Sequence, residues 1–283
     1  MSSLQVTPET EQWIVAQAMA GKDPDSVVAA MLQSGWQEQQ AIEVVEQVVR
    51  GYLVRNAEEA GLPVPVPVPS PVLMNGSARL DAGDRSVQVL ANMLLPRVIV
   101  FGGLLSDEEC DGLIELARPR IARSTTVDED AGGNIVHEAR TSEGTFFHRG
   151  QNELCARIEA RIARLLDWEV EKGEGLQILR YGVGAQYKPH YDYFDPSRPG
   201  NQRELQRGGQ RVASVVMYLN TPGCGGATTF PDVHFEVGAV KGNAVFFSYD
   251  RPHPMTKTLH GGAPVTAGEK WVATKWLRES EYA

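Results

Sequence analysis

Apolar residues recur at helical spacing early in the chain and at strand spacing late in it. In residues 8–58, Asp23-Pro24 reads as an N-cap followed by proline at the first helical position, and Gly35 as a stop after Met31-Leu32. From Trp36 onward, Ala41, Val45, Val48, Val49 and Tyr52 fall on one helical face. Farther along, Val98–Phe101 reads as a strand. Ser106-Asp107-Glu108-Glu109 forms a capping box ahead of an apolar stripe at Cys110, Leu113, Ile114 and Ala117. Leu154, Ile158, Ile162 and Leu165 mark a second amphipathic helix. After residue 175 the period changes. Leu176–Tyr181, Val212–Leu219, Asn243–Ser248 and Trp271–Leu277 are β-rich runs separated by Gly, Pro and Asn. Helices followed by many short strands predict an α+β fold: a double-stranded β-helix (jelly-roll, cupin-like) core braced by helices.

The same pattern divides the chain. Residues 1–60 are expected to form a small helical domain of two or three helices, suited to docking or dimerisation. Residues 61–94 are expected to be a proline-rich linker and lead-in, and residues 95–283 the main domain. The linker opens with G-L-P-V-P-V-P-V-P-S-P over residues 61–71, a polyproline II pattern. It reads as a spacer, or as a segment that a proline-recognising site binds or modifies.

Composition narrows the classes. A hydrophobic content of 42% fits a folded soluble protein. The net charge of −9, from 27 basic and 36 acidic residues, argues against a nucleic-acid or anionic-membrane partner. No apolar run approaches the ~20 residues of a membrane span. The start, M-S-S-L-Q-V-T-P-E-T-E-Q-W, has no basic residue followed by an apolar stretch, so no secretory signal is expected. Cys110, Cys155 and Cys224 form an odd, scattered set. They read as free thiols in a reducing cytoplasm.

The candidate chemistry lies in His190, Asp192, His260 and Lys270. His190 and Asp192 are two apart, so on an extended segment both side chains leave the same face. An isolated H-x-D is common, but here it sits in Y-x-x-G-x-x-Y-x-x-H-Y-D-Y-F. Among the remaining histidines, His260 stands out for the Pro264-Val265, Gly268 and Lys270 that follow it. Two imidazoles and a carboxylate form a facial triad with open positions, the signature of non-heme Fe(II) and oxygen chemistry. Lys270, Val272, Thr274, Trp276 and Arg278 share one strand face. A lysine aimed into a β sandwich is costly unless an anion pairs with it, which points to an acidic cosubstrate. Tyr218 shares a face with Ser214 and Val216, where its hydroxyl could help hold that carboxylate.

At these residues the chain resembles the prolyl 4-hydroxylase family of 2-oxoglutarate- and Fe(II)-dependent dioxygenases. The resemblance covers roughly residues 95–278. It includes Arg140-Thr141-Ser142, the H-x-D segment, V-M-Y-L-N followed by G-G-A-T-T-F-P, K-G-N-A-V-F-F, and L-H-G-G-A-P-V-T-A-G-E-K-W-V-A-T-K-W. It implies iron held by His190, Asp192 and His260, and Lys270 on the distal carboxylate of 2-oxoglutarate. Tyr181 matches a tyrosine that lines the cosubstrate pocket in some relatives. Arg140, Arg211 and Trp276 match positions that flank the peptide groove, and Arg278 stands where some relatives carry histidine. The implied reaction uses O2 and 2-oxoglutarate to form 4-hydroxyproline, succinate and CO2, with ascorbate as reductant. The implied partner is a proline-containing peptide or protein. Segments 128–140 and 195–210 read as lids. Two other readings stand beside this one: a related oxygenase acting on a free amino acid or other small molecule, and a non-catalytic cupin-like metal-binding module.

Overall fold

A computed structural model describes residues 6–71, 78–123, 126–127, 134–135 and 141–283. It divides into two units, residues 1–65 and 66–283.

The first unit holds three helices, α1 (Pro8–Met19), α2 (Pro24–Gln33) and α3 (Glu38–Ala60). The Asp23 carboxylate accepts from the Asp25 amide at 2.9 Å and so caps α2, with Pro24 at its first position. Gly35 follows α2 with φ near +93°, a conformation that favours glycine. Ile14, Val27, Met31, Ala41, Val44 and Val45 form the core between the helices.

The second unit is built on antiparallel strands. In chain order they begin with β1 (Arg79–Asp81), β2 (Ser86–Met93), β3 (Arg97–Gly102), β4 (Ala122–Arg123), β5 (Thr126–Val127), β6 (Asn134–Ile135) and β7 (Glu143–Phe147). They continue through β8 (Leu176–Tyr181), β9 (Tyr187–His190), β10 (Arg211–Tyr218), β11 (Cys224–Gly225), β12 (Thr228–Phe230) and β13 (Phe235–Val237). The last are β14 (Ala244–Ser248), β15 (His260–Gly262), β16 (Val265–Ala267) and β17 (Lys270–Arg278). The large sheet runs β1-β2-β3-β14-β10-β17-β8-β7-β4, and the small one β13-β12-β15-β9. Residues 79–93, read from sequence as lead-in, are two strands of the large sheet. Their weakly apolar alternation reflects an edge position.

Two helices, α4 (Asp107–Ala117) and α5 (Glu153–Leu166), cover one face of the large sheet. Cys110, Leu113 and Ala117 of α4 and Ile158, Ile162 and Leu165 of α5 pack with Ile178, Val215 and Trp271. The other face carries Leu179, Tyr218, Phe247 and Val272, which pack with Phe230 of the small sheet. This is the helix-braced jelly roll expected from the sequence. The alternation along β17 holds. Trp271, Ala273 and Leu277 face the helices, where Lys275 Nζ also donates to Glu159 Oε1 at 2.6 Å.

The capping box at α4 is complete, and Glu109 ties it to the rest of the unit. Its carboxylate accepts from the Ser106 amide at 3.0 Å, from Arg157 Nε at 3.0 Å and from Arg161 Nη1 and Nη2 at 2.7 Å each. Burial alone would raise the Glu109 pKa. The Arg161, Ser106 and Arg157 hydrogen bonds outweigh it and take it from the ordinary 4.5 to about 2. Because the folded value is depressed, this stabilisation is full above pH ~4.5 and disappears as pH falls toward ~2. Thermal melts of the metal-free protein over that window should therefore decline less steeply in Glu109→Gln than in the wild type.

Candidate active site

The site lies where the small sheet meets the large one. His190 ends β9 and His260 begins β15, and the two are direct cross-strand partners. Residues opposite each other in an antiparallel pair sit close enough for their side chains to meet. The imidazole centroids are accordingly 4.4 Å apart. Gly261 permits the approach: a Cβ there would lie 2.9 Å from the Tyr187 carbonyl oxygen. Asp192 is just past β9 and presents its carboxylate to both rings. Its Oδ1 is 3.5 Å from His190 Nε2 and its Oδ2 3.5 Å from His260 Nε2. The three ligand atoms lie within 4.8 Å of one another.

Each donor is held in the state that a metal requires. His190 Nδ1 lies 2.9 Å from the Lys188 carbonyl and His260 Nδ1 3.0 Å from that of Thr258. Both rings therefore donate from Nδ1 and leave Nε2 with a free lone pair. Tyr187 stacks on His190 at 3.7 Å, and Phe247 packs against His260 at 4.4 Å between centroids. Burial lowers the His260 pKa to about 4, so the imidazole is neutral at physiological pH. For Asp192 burial acts to raise the pKa. The direction is nonetheless downward, with the Arg211 guanidinium among its causes, and the carboxyl stays ionised. Two imidazole nitrogens and one carboxylate suit a divalent ion, and the donor set fits Fe(II).

Ser214 fixes the carboxylate. Its hydroxyl donates to Asp192 Oδ2 at 2.6 Å, so the Tyr249 hydroxyl, 3.0 Å away, donates to Ser214 in turn. Neither residue stood out in the sequence, since Ser and Tyr inside a sandwich look like ordinary core positions. Loss of one such outer partner costs ~10–100-fold in metal affinity or activity. Ser214→Ala should fall in that range by Fe(II) titration, with the fold retained by circular dichroism.

Two cavities meet at this cluster, and His190, Asp192, Tyr187 and Trp276 line both. The inner one, about 50 Å³, is bounded by Tyr181, Thr228, Lys270 and Thr274. Lys270 is 5% exposed, and burial pushes its ammonium down to about 8. No carboxylate offsets that burial among the described residues; Nζ instead lies 5.6 Å from each of the Tyr181 and Tyr218 ring centroids. A cation buried without a carboxylate partner is costly, and an anionic group beside it would offset that cost. Tyr218 contributes its ring, but its hydroxyl donates to Thr228 Oγ1 at 2.8 Å.

The outer cleft, about 640 Å³, is walled by Tyr191, Tyr193, Phe194, Trp276 and Tyr282. Arg211 lies in it, 4.0 Å from the Trp276 ring centroid and 4.7 Å from that of Phe194. By simple alternation Arg211 would share a face with Ala213 and Val215, toward the helices. A β-bulge between Arg211 and Ala213 re-aims it into the cleft. Glu174, absent from the sequence reading, accepts from Arg211 Nε at 2.6 Å and Nη2 at 2.9 Å, and from Arg278 Nη1 at 2.9 Å. Arg278, at 0% exposure, is fully buried and meets the cleft only through Glu174.

Arg140 and most of residues 128–140 lie outside the described residues. Segment 195–210, read as a lid, contains a short helix, α6 (Gln202–Gln206). Gln210 ties its end to the backbone of Phe194, accepting from N–H at 2.6 Å and donating to the carbonyl at 2.8 Å.

Residues 176–278 match the 2OG-Fe(II) oxygenase superfamily. Prolyl 4-hydroxylase 5 of Arabidopsis thaliana is 40% identical over 221 residues, covering 71% of this chain and 74% of that protein. Probable prolyl 4-hydroxylase 10 of the same plant is 40% identical over 208 residues, 66% of this chain and 70% of that one. A solved viral collagen prolyl hydroxylase from Paramecium Bursaria Chlorella virus-1, in its 2OG complex, is 30% identical. It covers 64% of this chain and 95% of its own, with a TM-score of 0.49. The sequence relatives, with the His-Asp-His cluster, place this chain in the prolyl 4-hydroxylase family of 2-oxoglutarate- and Fe(II)-dependent dioxygenases.

Proposed function

We propose that the protein hydroxylates prolyl residues of a peptide or protein at C4, with His190, Asp192 and His260 as iron ligands. The observation that carries this reading is the pair of cavities sharing one His-Asp-His cluster. One ends at a buried cation and the other is an aromatic cleft. The first suits 2-oxoglutarate and the second a proline-containing chain, and the curated relatives are named prolyl 4-hydroxylases.

Bound by the three ligands, Fe(II) supplies the redox chemistry by which O2 and 2-oxoglutarate oxidise a prolyl C–H bond, releasing succinate and CO2. The protein's own part is positioning. Lys270 pairs with the distal carboxylate, and Tyr181 closes the pocket beside it. Ser214 holds Asp192 in one orientation. In the outer cleft Trp276 Nε1 is a buried donor without an acceptor among the described residues, and it fits an oxygen of the bound substrate or cosubstrate. Arg211 presents the face of its guanidinium between two rings while Glu174 fixes its edge. Arg140 belongs with them by family resemblance.

Ascorbate would return iron oxidised in uncoupled turnovers to the ferrous state. The α1–α3 unit serves as a homodimer or docking element, a reading supported by Trp13, Met19 and Leu53 on its exterior. A cytoplasmic location fits three thiols that are all unpaired.

The test is Fe(II)- and O2-dependent conversion of 2-oxoglutarate to succinate with proline-containing peptides or with free proline, with 4-hydroxyproline identified by mass spectrometry. Stimulation by peptides with hydroxyproline formed supports the proposal. Turnover with free proline alone favours a small-molecule oxygenase, and absence of iron binding overturns both.

A further inference from the structure

Residues 62–71, L-P-V-P-V-P-V-P-S-P, form neither helix nor strand. Proline at every second position removes alternate N–H donors and fixes φ, so the backbone is held extended before anything binds it. The prolines differ in access. Pro69 and Pro71 are buried, Pro65 is half-buried and Pro67 is exposed. Hydrogen bonds anchor the stretch on either side of Pro67. The Val66 amide donates to the Asp250 carbonyl at 2.8 Å and the Ser70 amide to that of Leu166 at 3.2 Å. Arg97 Nη2 donates to Ser70 Oγ at 3.2 Å.

The outer cleft is matched to such a segment. Aromatic-lined grooves take polyproline II chains because the preformed helix loses little entropy on docking. Tyr191, Tyr193, Phe194 and Trp276 supply those walls beside the His-Asp-His cluster.

We propose that Pro67 is a modification site of the protein's own activity, hydroxylated at C4 by a second copy of the chain. This rests on the reading of the site as a peptidyl-proline hydroxylase. The C4–H bond of Pro67 is replaced by C4–OH, with the oxygen drawn from O2. The other oxygen atom of O2 enters succinate as 2-oxoglutarate loses CO2. Transfer runs between copies because Val66 and Ser70 tether both sides of Pro67 to their own unit. A second molecule is under no such restraint.

The experiment mixes wild-type enzyme with a tagged Asp192→Ala acceptor chain, and in parallel with a tagged His190→Ala acceptor. Fe(II), 2-oxoglutarate, ascorbate and air are supplied. The tagged chain is then recovered and its 61–71 peptide fragmented by mass spectrometry. A synthetic 61–71 peptide and an unrelated proline-rich peptide are run alongside. The expected result is the mass of one oxygen on Pro67 of the acceptor, lost without 2-oxoglutarate and lost in a Pro67→Ala acceptor. An unshifted acceptor, or a shift at another proline only, overturns the inference. If the unrelated peptide is still hydroxylated, the enzymatic reading stands without it. If no peptide is hydroxylated, both fall.

Discussion

Asp192→Ala is expected to abolish both iron binding and succinate formation. Asp192 is the single carboxylate of the cluster, and its removal leaves two imidazoles beside the Arg211 guanidinium. A divalent ion placed there would meet uncompensated positive charge at low effective dielectric. The loss should exceed the ~10–100-fold that follows removal of an outer partner alone, the class to which Ser214→Ala belongs. The fold should survive, because Ser214 keeps the Tyr249 hydroxyl as a partner at 3.0 Å. Asp192→Asn tests charge apart from volume. It keeps one carbonyl acceptor but not the negative charge, and should be nearly as inactive. Fe(II) titration of the metal-free proteins, with succinate release measured in the same samples, checks both variants. Iron bound with wild-type affinity in either would remove Asp192 from the ligand set.

Features that depend on local periodicity could be read before the fold was known. The Ser106 capping box, the apolar stripe of α5 and the alternation along β17 each follow from the spacing of a few neighbouring residues. The two-residue spacing of His190 and Asp192 was legible as well, although Asp192 lies just past the end of β9 and not on the strand itself. What could not be read depends on contacts between distant segments. The pairing of His190 with His260 is a register between β9 and β15, and a strand of three or four residues carries too little pattern to set one. Arg211 reaches the cleft through a bulge that local alternation argues against. Glu174 sits before β8 in a segment with no motif, and it matters only because Arg211 and Arg278 converge on it. For Tyr218 the strand face was legible, but not the hydroxyl's partner. Thr228 belongs to the other sheet. The β1–β2 hairpin was read as lead-in because an edge pair with one solvated face needs few apolar residues.

Lys270→Met should separate cosubstrate binding from stability, because the two respond in opposite directions. In the wild type the ammonium is buried without an anion, and that burial takes its pKa from the ordinary 10.5 to about 8. The folded value is below the unfolded one, so the penalty is fully present below pH ~8 and relieved as pH rises toward ~10.5. Methionine fills a similar volume and carries no charge. The metal-free variant should therefore unfold at the same temperature as the wild type or a higher one, and should lose the gain in stability that the wild type shows over that alkaline window. Binding should move the other way. Removing one member of a buried charge pair costs ~2–5 kcal/mol, so the 2-oxoglutarate requirement should rise by about 30-fold or more. The stabilisation of the wild-type protein by added 2-oxoglutarate should shrink with it. Thermal melts with and without 2-oxoglutarate, beside the KM for 2-oxoglutarate, give both readouts. A variant that melts lower and keeps its KM would make Lys270 a structural cation, with the cosubstrate carboxylate held elsewhere. A variant that melts no lower and loses 2-oxoglutarate would place the stored cost of the buried ammonium at the cosubstrate pocket, to be relieved when the dicarboxylate binds.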